Sequence, residues 1–177
     1  MVPVLLLLLA QPASAAPPAP PADASAPAAE QPLIVLPGQV RRYKGQQGRE
    51  ADVTELLATS EQTGGKLGIF RQTIPPGSGP PTHLHRMEVE FAYVLSGRFR
   101  FRLADRVVDV PPGTFVFIPH MTPHTFRNVG RRPGVLLFGV SAGGFEKMFA
   151  EREGVDAETN RKLMKKYHME VVGPPLP

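Results

Sequence analysis

A chain of 177 residues suits one domain with a sizeable hydrophobic core. It contains no cysteine, which excludes disulfide bonds, thiolate metal ligands and cysteine nucleophiles. Its formal net charge of +4 could attract an anion or a nucleic acid, but the sequence has no helix-turn-helix, zinc-finger or RNP-type pattern, so we expect no nucleic-acid partner.

The first 32 residues differ in composition from the rest of the chain. The apolar run Val4–Ala10 is followed by the small residues Ala13–Ala15, a cleavage pattern, so residues 1–15 are interpreted as a secretory signal peptide. Residues 16–32 are rich in proline and alanine and predict a disordered tether. The apolar run is far shorter than the roughly 20 residues that cross a bilayer, so we expect a periplasmic or secreted protein with no stable membrane span after cleavage. No basic residue precedes the run, so an ordinary disordered leader or a misassigned start codon is the alternative.

Residues 33–142 predict an all-β domain. Short apolar runs alternate with turn residues here, and the gaps are too short for the crossover helices that parallel strands need. An antiparallel sandwich or barrel is therefore expected. The predicted strands cover residues 33–36, 67–74, 89–95, 98–103, 106–110, 114–119, 124–129 and 135–140.

The strand RFRFRL, residues 98–103, alternates arginine with phenylalanine or leucine. This alternation is typical of a half-buried strand, with Arg98, Arg100 and Arg102 on its solvated face. The three arginines could also bind an anion, but a solvated face is the interpretation adopted.

Residues 143–177 predict a helical segment with two helices. Phe145, Met148 and Phe149 have the i, i+3, i+4 spacing of an apolar helix face. A second helix is expected to begin after Asp156, which is a good N-cap residue. The apolar stripe of this second helix consists of Leu163, Met164 and Tyr167. Both stripes are interpreted as packing surfaces that cover an end or edge of the β domain, and not as cofactor contacts.

Two of the five histidines lie one residue apart, in the sequence THLHRMEVE. Side chains two positions apart on a strand share a face, so His83 and His85 point together. Glu90 lies an odd number of residues beyond His85 and can join the pair only if the chain bends or bulges over residues 86–89. Glu88 would then face the surface or support a histidine from behind. On these residues alone, a metal site and a coincidence of surface polarity both stay open.

Two segments together carry a resemblance to a known family. The first, GSGPPTHLHRMEVEFAYVLSG, has the ordered motif positions Gly77, His83, His85, Glu90 and Gly97. The second, GTFVFIPHMTPHTFRN, has the ordered motif positions Gly113, Pro119, His124 and Asn128. In this order and spacing the segments resemble the two motifs of the cupin family, over roughly residues 60–142. The later GGFEKMF and YHMEVVGPP are similar to small single-domain (type-2) cupins described as quercetin-dioxygenase-like.

The resemblance implies a double-stranded β-helix, the cupin jelly-roll barrel, with the two C-terminal helices attached. It also implies one metal ion inside the barrel, held by His83, His85, Glu90 and His124. Three imidazoles and one carboxylate suit a divalent transition metal such as Fe, Mn, Ni, Cu or Zn. Core hydrogen bonds could satisfy these side chains instead, although burying four converging polar groups without an ion would be costly. Met121 stands where cupins usually have glycine, which puts the turn before His124 in question.

Other residues and motifs carry weaker expectations. His120 and His168 match no ligand position, and we place His120 at the pocket rim and His168 on the surface. GSG at residues 77–79 lacks the nucleophile-elbow pattern, and TGGKLG at residues 63–68 lacks the P-loop pattern.

The function cannot be chosen from the fold, because the family includes dioxygenases, decarboxylases, isomerases, storage proteins and sensors. The first hypothesis is a metal-dependent oxidoreductase, a dioxygenase for a small enol- or catechol-like substrate, with Glu90 as catalytic base. The candidates for the apolar pocket wall are Phe91, Phe115, Phe117 and Phe126. The alternative is a non-catalytic metal- or small-ligand-binding cupin of the cell envelope. By analogy with the family, a homodimer is expected, in which the strand near Leu33 could exchange between subunits.

Overall fold

The computed structural model describes residues 32–45 and 52–177, which form strands followed by two helices and a last strand. The strands in chain order are β1 (Arg41–Lys44), β2 (Val53–Ala58), β3 (Leu67–Ile74), β4 (Thr82–His85), β5 (Glu90–Ser96), β6 (Phe99–Leu103), β7 (Arg106–Val110), β8 (Phe115–Ile118), β9 (His124–Asn128), β10 (Gly134–Ser141) and β11 (Met169–Gly173). The helices, α1 (Lys147–Glu151) and α2 (Ala157–Lys166), lie between β10 and β11.

The strands form two antiparallel sheets that enclose a common core. One sheet has the order β1-β2-β3-β10-β5-β8, and the other has the order β11-β4-β9-β6-β7. The chain passes repeatedly between the sheets, for example from β4 to β5 and from β7 to β8. The expected all-β class, the jelly-roll barrel and the two C-terminal helices are therefore confirmed.

The hydrophobic core is built mainly from phenylalanine rings of both sheets. Phe70 and Phe138 lie on paired strands of the first sheet, with ring centroids 5.2 Å apart. Phe126 of the second sheet approaches Phe138 to 5.5 Å and closes the gap between the sheets. Burying each ring contributes about 2 kcal/mol to folding, so this aromatic cluster fixes how the two sheets face each other.

Strand β6 shows why the sequence pattern reports burial. Phe99 and Phe101 are buried in the core, whereas Arg100 lies on the outer face and pairs with Asp109 of the neighbouring β7. The Arg100 Nε and Asp109 Oδ1 atoms are 2.5 Å apart. The solvated basic face expected for this strand is present.

The segment after β10 is tied to the barrel through one buried carboxylate. Glu146 is fully buried and accepts hydrogen bonds from the backbone N–H groups of Ser60, at 2.6 Å, and Gly144, at 2.8 Å. Helix α2 starts as expected, because the Asp156 side chain accepts a hydrogen bond from the backbone N–H of Thr159. The Glu146 hydrogen bonds tie the start of α1 to the barrel, and the Asp156 cap stabilises the first turn of α2.

The sequence analysis was wrong about one strand and missed three others. Residues 33–36 lie outside any strand and are largely exposed, whereas β1, β2 and β11 were not expected. Strand β11 falls in the segment predicted to be helical and pairs with β4, which places Met169 opposite His85 and Val171 opposite His83. The second sheet therefore depends on a strand far along the chain.

The expected leader falls almost entirely outside the described residues. Neither the signal peptide of residues 1–15 nor the tether of residues 16–32, except Pro32, belongs to the described ranges. In the described ranges, no helix has the length and apolar character needed to cross a membrane.

Candidate metal centre

Two strands and one bend bring four polar side chains together inside the barrel. His83 and His85 lie on β4, and His124 begins β9 directly opposite His83 in the strand register. The chain bends over residues 86–89 and enters the other sheet at Glu90. This bend is the irregularity that the odd spacing required, and it turns Glu90 toward the histidines.

The four side chains converge closely. The Glu90 Oε2 atom lies 3.0 Å from His85 Nε2 and 3.2 Å from His124 Nε2. The ring centroids of His83 and His124 are 4.2 Å apart, and all four residues are buried. One donor atom from each residue lies within 4.8 Å of all the others. The group could therefore hold one metal ion.

Backbone carbonyl groups orient two of the imidazoles. The Nδ1 atom of His83 lies 2.9 Å from the carbonyl oxygen of Pro81, and that of His124 lies 2.8 Å from the carbonyl oxygen of Thr122. A carbonyl oxygen can only accept, so each Nδ1 must carry the hydrogen, and the neutral ring then presents a bare Nε2. For His124, that bare nitrogen faces the acceptor oxygen of Glu90, so a cation or an extra proton must lie between them. The donor set fits a divalent transition metal.

Glu88 supports His85 from behind. Its Oε2 atom lies 3.9 Å from His85 Nδ1, and both atoms are buried without a hydrogen-bond partner in the described part of the chain. A small movement of the His85 ring would close this gap, giving the carboxylate–histidine–metal arrangement common in metal sites. Because Glu88 is buried, the surface-facing alternative for this residue is wrong.

The electrostatics of the group favour metal-binding protonation states. Burial, with help from the charge of His124, lowers the pKa of His83 to about 3. Burial acts to raise the pKa of Glu90, but hydrogen bonds from His124 and His85 outweigh it and hold that pKa below its usual range. Burial acts to lower the pKa of His124, but the hydrogen bond to Glu90 outweighs burial and raises this pKa above its usual value. A neutral His83 and an ionised Glu90 are the forms that bind a cation.

A cavity of about 440 Å³ opens from this group toward the C-terminal helices. His83, His85 and Glu90 form part of its wall. The aromatic part of the wall consists of Phe70, Phe126, Phe138, Phe145 and Phe149. Its volume is within the range of about 300–1,000 Å³ that is typical of small-molecule sites.

The predicted pocket wall was right for one phenylalanine of four. Phe126 lines the cavity, but Phe115 and Phe117 are 59% and 54% exposed on the outer face of the first sheet. Phe91 also lies on that outer face, with its ring centroid 5.8 Å from that of Phe115. The sequence left the facing of these four rings open, and the structure turns only Phe126 toward the cavity.

The apolar stripe of the first helix lines the cavity as well as packing against the barrel. The ring of Phe145 meets the imidazole of His85 edge-on, with centroids 4.6 Å apart, and Phe145, Met148 and Phe149 all line the cavity. The stripe packs into the core as expected, and it also lines the cavity. The segment after the barrel forms one wall of the site.

The turn before His124 keeps its backbone shape without glycine. Met121 has a φ of +61°, in the left-handed region, and its backbone N–H donates to the carbonyl oxygen of His85 at 2.7 Å. This hydrogen bond joins the two motif segments and holds the strained residue in place. His120 and His168 are both exposed, and His120 is not among the cavity-lining residues.

Several polar residues of the cavity wall were not expected from the sequence. Asp52, Arg152 and Asn160 line the same cavity as the histidines. Arg152 stands among glutamates in EREG, where the letters alone read as a solvated charge run, and Asn160 stands in the polar part of α2. No local signal distinguishes them from surface residues, and only the docking of the helices on the barrel does.

Comparisons with known proteins agree with this geometry. Residues 70–140 match the family described as "Cupin domain". An uncharacterized protein of Methanocaldococcus jannaschii is 32% identical over 81 residues, which are 46% of this chain, and the match spans 65% of that relative's length.

Solved structures with the same fold include an RmlC-like cupin from Shewanella frigidimarina, with a TM-score of 0.54 and 16% identity over 64% of this chain and 94% of that one. A predicted oxalate decarboxylase from Thermotoga maritima has a TM-score of 0.51 and 24% identity over 58% of this chain and 90% of that one. KdgF from a Halomonas species has a TM-score of 0.50 and 18% identity over 55% of this chain and 84% of that one. Residues 70–140 of the protein therefore match a cupin domain, and the group of three histidines and one glutamate in this region could hold a metal ion.

Proposed function

We propose that this protein is a metal-dependent oxidoreductase, a dioxygenase that acts on a small enol- or catechol-like substrate. The observation that carries the proposal is the buried group of His83, His85, Glu90 and His124 at the wall of an aromatic cavity of about 440 Å³. A cavity of this size has room for a small organic molecule beside these four side chains.

These four residues are proposed as the ligands of one divalent transition metal, and the candidate metals are Fe, Mn, Ni, Cu and Zn. One carboxylate against a 2+ ion leaves a net charge of +1, which favours an anionic oxygen ligand. When bound, the metal would supply Lewis-acid activation of an enol or catechol oxygen and, for Fe, Mn, Ni or Cu, a route for reaction with O₂.

Glu90 is proposed as the base. Its carboxylate lies on the cavity wall, so it would be placed to accept the hydroxyl proton of a bound substrate once it loosens from the metal. The aromatic wall contributed by Phe70, Phe126 and Phe145 would contact the body of the substrate and exclude water from the proton transfer.

Oxygen consumption tests this proposal. The purified protein is reconstituted separately with each candidate metal and mixed with a panel of flavonols and catechols, and O₂ uptake is recorded. At least one metal and substrate pair should give turnover, and Glu90→Gln should lose most of it. Tight metal binding with no turnover across the panel would refute the dioxygenase and favour the non-catalytic metal- or ligand-binding protein.

Export and dimerisation are further proposals. Export is supported by the leader-like composition of residues 1–15, and mass spectrometry of the mature N-terminus from the native host tests it. A homodimer is supported by exposed apolar side chains on the outer sheet face, Phe115 and Phe117 among them. Light scattering of the purified protein tests it, and a monomeric mass would refute it.

A further inference from the structure

The wall of the cavity formed by the C-terminal helices carries a half-buried arginine, Arg152. Arg152 caps the end of α1 and lines the same cavity as His83 and His85. Its guanidinium carbon lies 4.5 Å above the ring of Phe149. Its Nε atom is buried and has no hydrogen-bond partner among the described residues. Nothing in the metal centre accounts for this arginine.

A guanidinium whose Nε–H group is buried and has no hydrogen-bond partner calls for an anion. Burial lowers the pKa of Arg152, and the negative charge of Asp52, on the same cavity wall, opposes that effect. Arginine nevertheless stays charged in proteins, so its buried N–H group is a strong donor that has lost water. Leaving such a donor unfilled is costly, and a ligand carboxylate would fill it.

A second unfilled polar group lines the same cavity. Asn160 of α2 is 5% exposed, and its Oδ1 atom is buried without a hydrogen-bond partner in the described ranges. Its Nδ2 atom has only a long contact of 4.0 Å, to Met164 Sδ. Whichever way the amide is turned, it offers one unfilled hydrogen-bonding group, a donor to a carboxylate or an acceptor from a hydroxyl.

The charge of the wall also favours an acid. Among the described cavity-lining residues, Arg127 and Arg152 are balanced by Asp52 and Glu90. A divalent ion in the metal centre would therefore leave the cavity with an excess of positive charge.

Aromatic rings connect the two polar ends of the cavity. The His85 ring contacts Phe145 at 4.6 Å, Phe145 contacts Phe149 at 5.8 Å, and Phe149 carries the Arg152 guanidinium at 4.5 Å. A ligand with a flat apolar body could lie along these rings and reach a polar group at each end.

We propose that the cavity binds small aromatic or unsaturated carboxylic acids, with the carboxylate on Arg152 and Asn160 and an oxygen at the opposite end facing His83, His85 and Glu90. Both subsite residues follow residue 140, where the match to the cupin domain ends, so the acid specificity is supplied by the C-terminal helices of this chain. The choice of a catechol body for the test ligand rests on the proposed function.

Isothermal titration of the full chain loaded with Zn²⁺ tests the subsite without requiring turnover. The probes are 3,4-dihydroxybenzoate, its neutral amide 3,4-dihydroxybenzamide, and catechol. We expect the acid to bind at least about tenfold more tightly than the amide, because only the acid forms an ion pair with Arg152. In Arg152→Gln the preference should fall to about twofold or less, with amide affinity unchanged.

Two further variants separate binding from folding. Arg161→Gln alters an exposed arginine of α2 that does not line this cavity, and it should keep the wild-type preference. Asn160→Asp preserves the shape of the side chain but adds a negative charge, so it should weaken binding of the acid and leave binding of the amide unaffected. Equal affinity of acid and amide in the wild type, an unchanged preference in Arg152→Gln, or no binding of any probe would each overturn the proposal. Acid preference without O₂ uptake would refute the dioxygenase and leave the subsite standing.

Discussion

The buried imidazole of His83 predicts that the metal-free protein loses stability as the pH falls below neutral. Burial is the main reason that its pKa falls from 6.5 to about 3 in the folded protein. The unfolded chain takes up a proton on this imidazole near its ordinary pKa, and the folded protein does not. Stability is therefore fully present above a pH of about 6.5 and is lost progressively between about 6.5 and 3.

The magnitude follows from the width of this pH window. One unit of pKa difference corresponds to about 1.36 kcal/mol. Between pH 6.5 and 5, with the unfolded imidazole already half protonated at the start, the free energy of unfolding should decrease by about 1.7 kcal/mol. That is a substantial part of the about 5–15 kcal/mol that stabilises a typical domain.

Urea unfolding of the chelator-treated protein at these two pH values measures the effect. The loss on acidification should be smaller by about 1.7 kcal/mol in His83→Gln than in the wild type, because the other titrating groups are shared. His120→Gln, at an exposed histidine, should behave like the wild type. If the wild type and His83→Gln show the same pH dependence, burial does not hold His83 neutral and the electrostatic account of the site is wrong.

Three other predictions concern the site and its supporting turn. The wild type should bind about one divalent ion per chain by metal analysis and His85→Ala should lose most of it, whereas His120→Ala should retain it; retention in His85→Ala would contradict the ligand set. Glu88→Ala should weaken metal affinity about 10- to 100-fold in a chelator competition, and Glu88→Gln, which keeps an acceptor for His85, should recover part of the loss; equal affinities would remove Glu88 from the site. Met121→Gly should raise the free energy of unfolding by about 1 kcal/mol, because it removes a side chain from a left-handed residue, and a destabilised variant would show that the side chain itself is needed.

The ligand cluster was predictable from sequence because its spacing is local. His83 and His85 lie two apart on one strand, and Glu90 needs only the bend at residues 86–89 to reach them. His124 comes from a distant segment and could be added only through the family motif. The alternation in β6 likewise reported burial, since its two faces differ sharply in polarity.

Features set by long-range packing were not predictable. The sequence of residues 33–36 predicts a strand, yet no strand pairs with them among the described residues. The polar sequence RRYK of β1, in contrast, pairs with β2. Phe115 lies in the wholly apolar strand FVFI, where no polar residue marks the outer face, so the sequence could not tell which way its ring points. The inward direction of Arg152 depends on how α1 docks, a relation that a single sequence does not carry.

The late position of β11 also bears on how the protein matures. Strand β4 meets β9 at a single aligned pair, His83 with His124, and its longer ladder is with β11. A ribosome must therefore synthesise residues 169–173 before the histidine-bearing strand gains its outer neighbour. Nascent chains that stop short of this point would leave the backbone edge of the histidine-bearing strand unpaired. Correct loading should accordingly be a post-translational event.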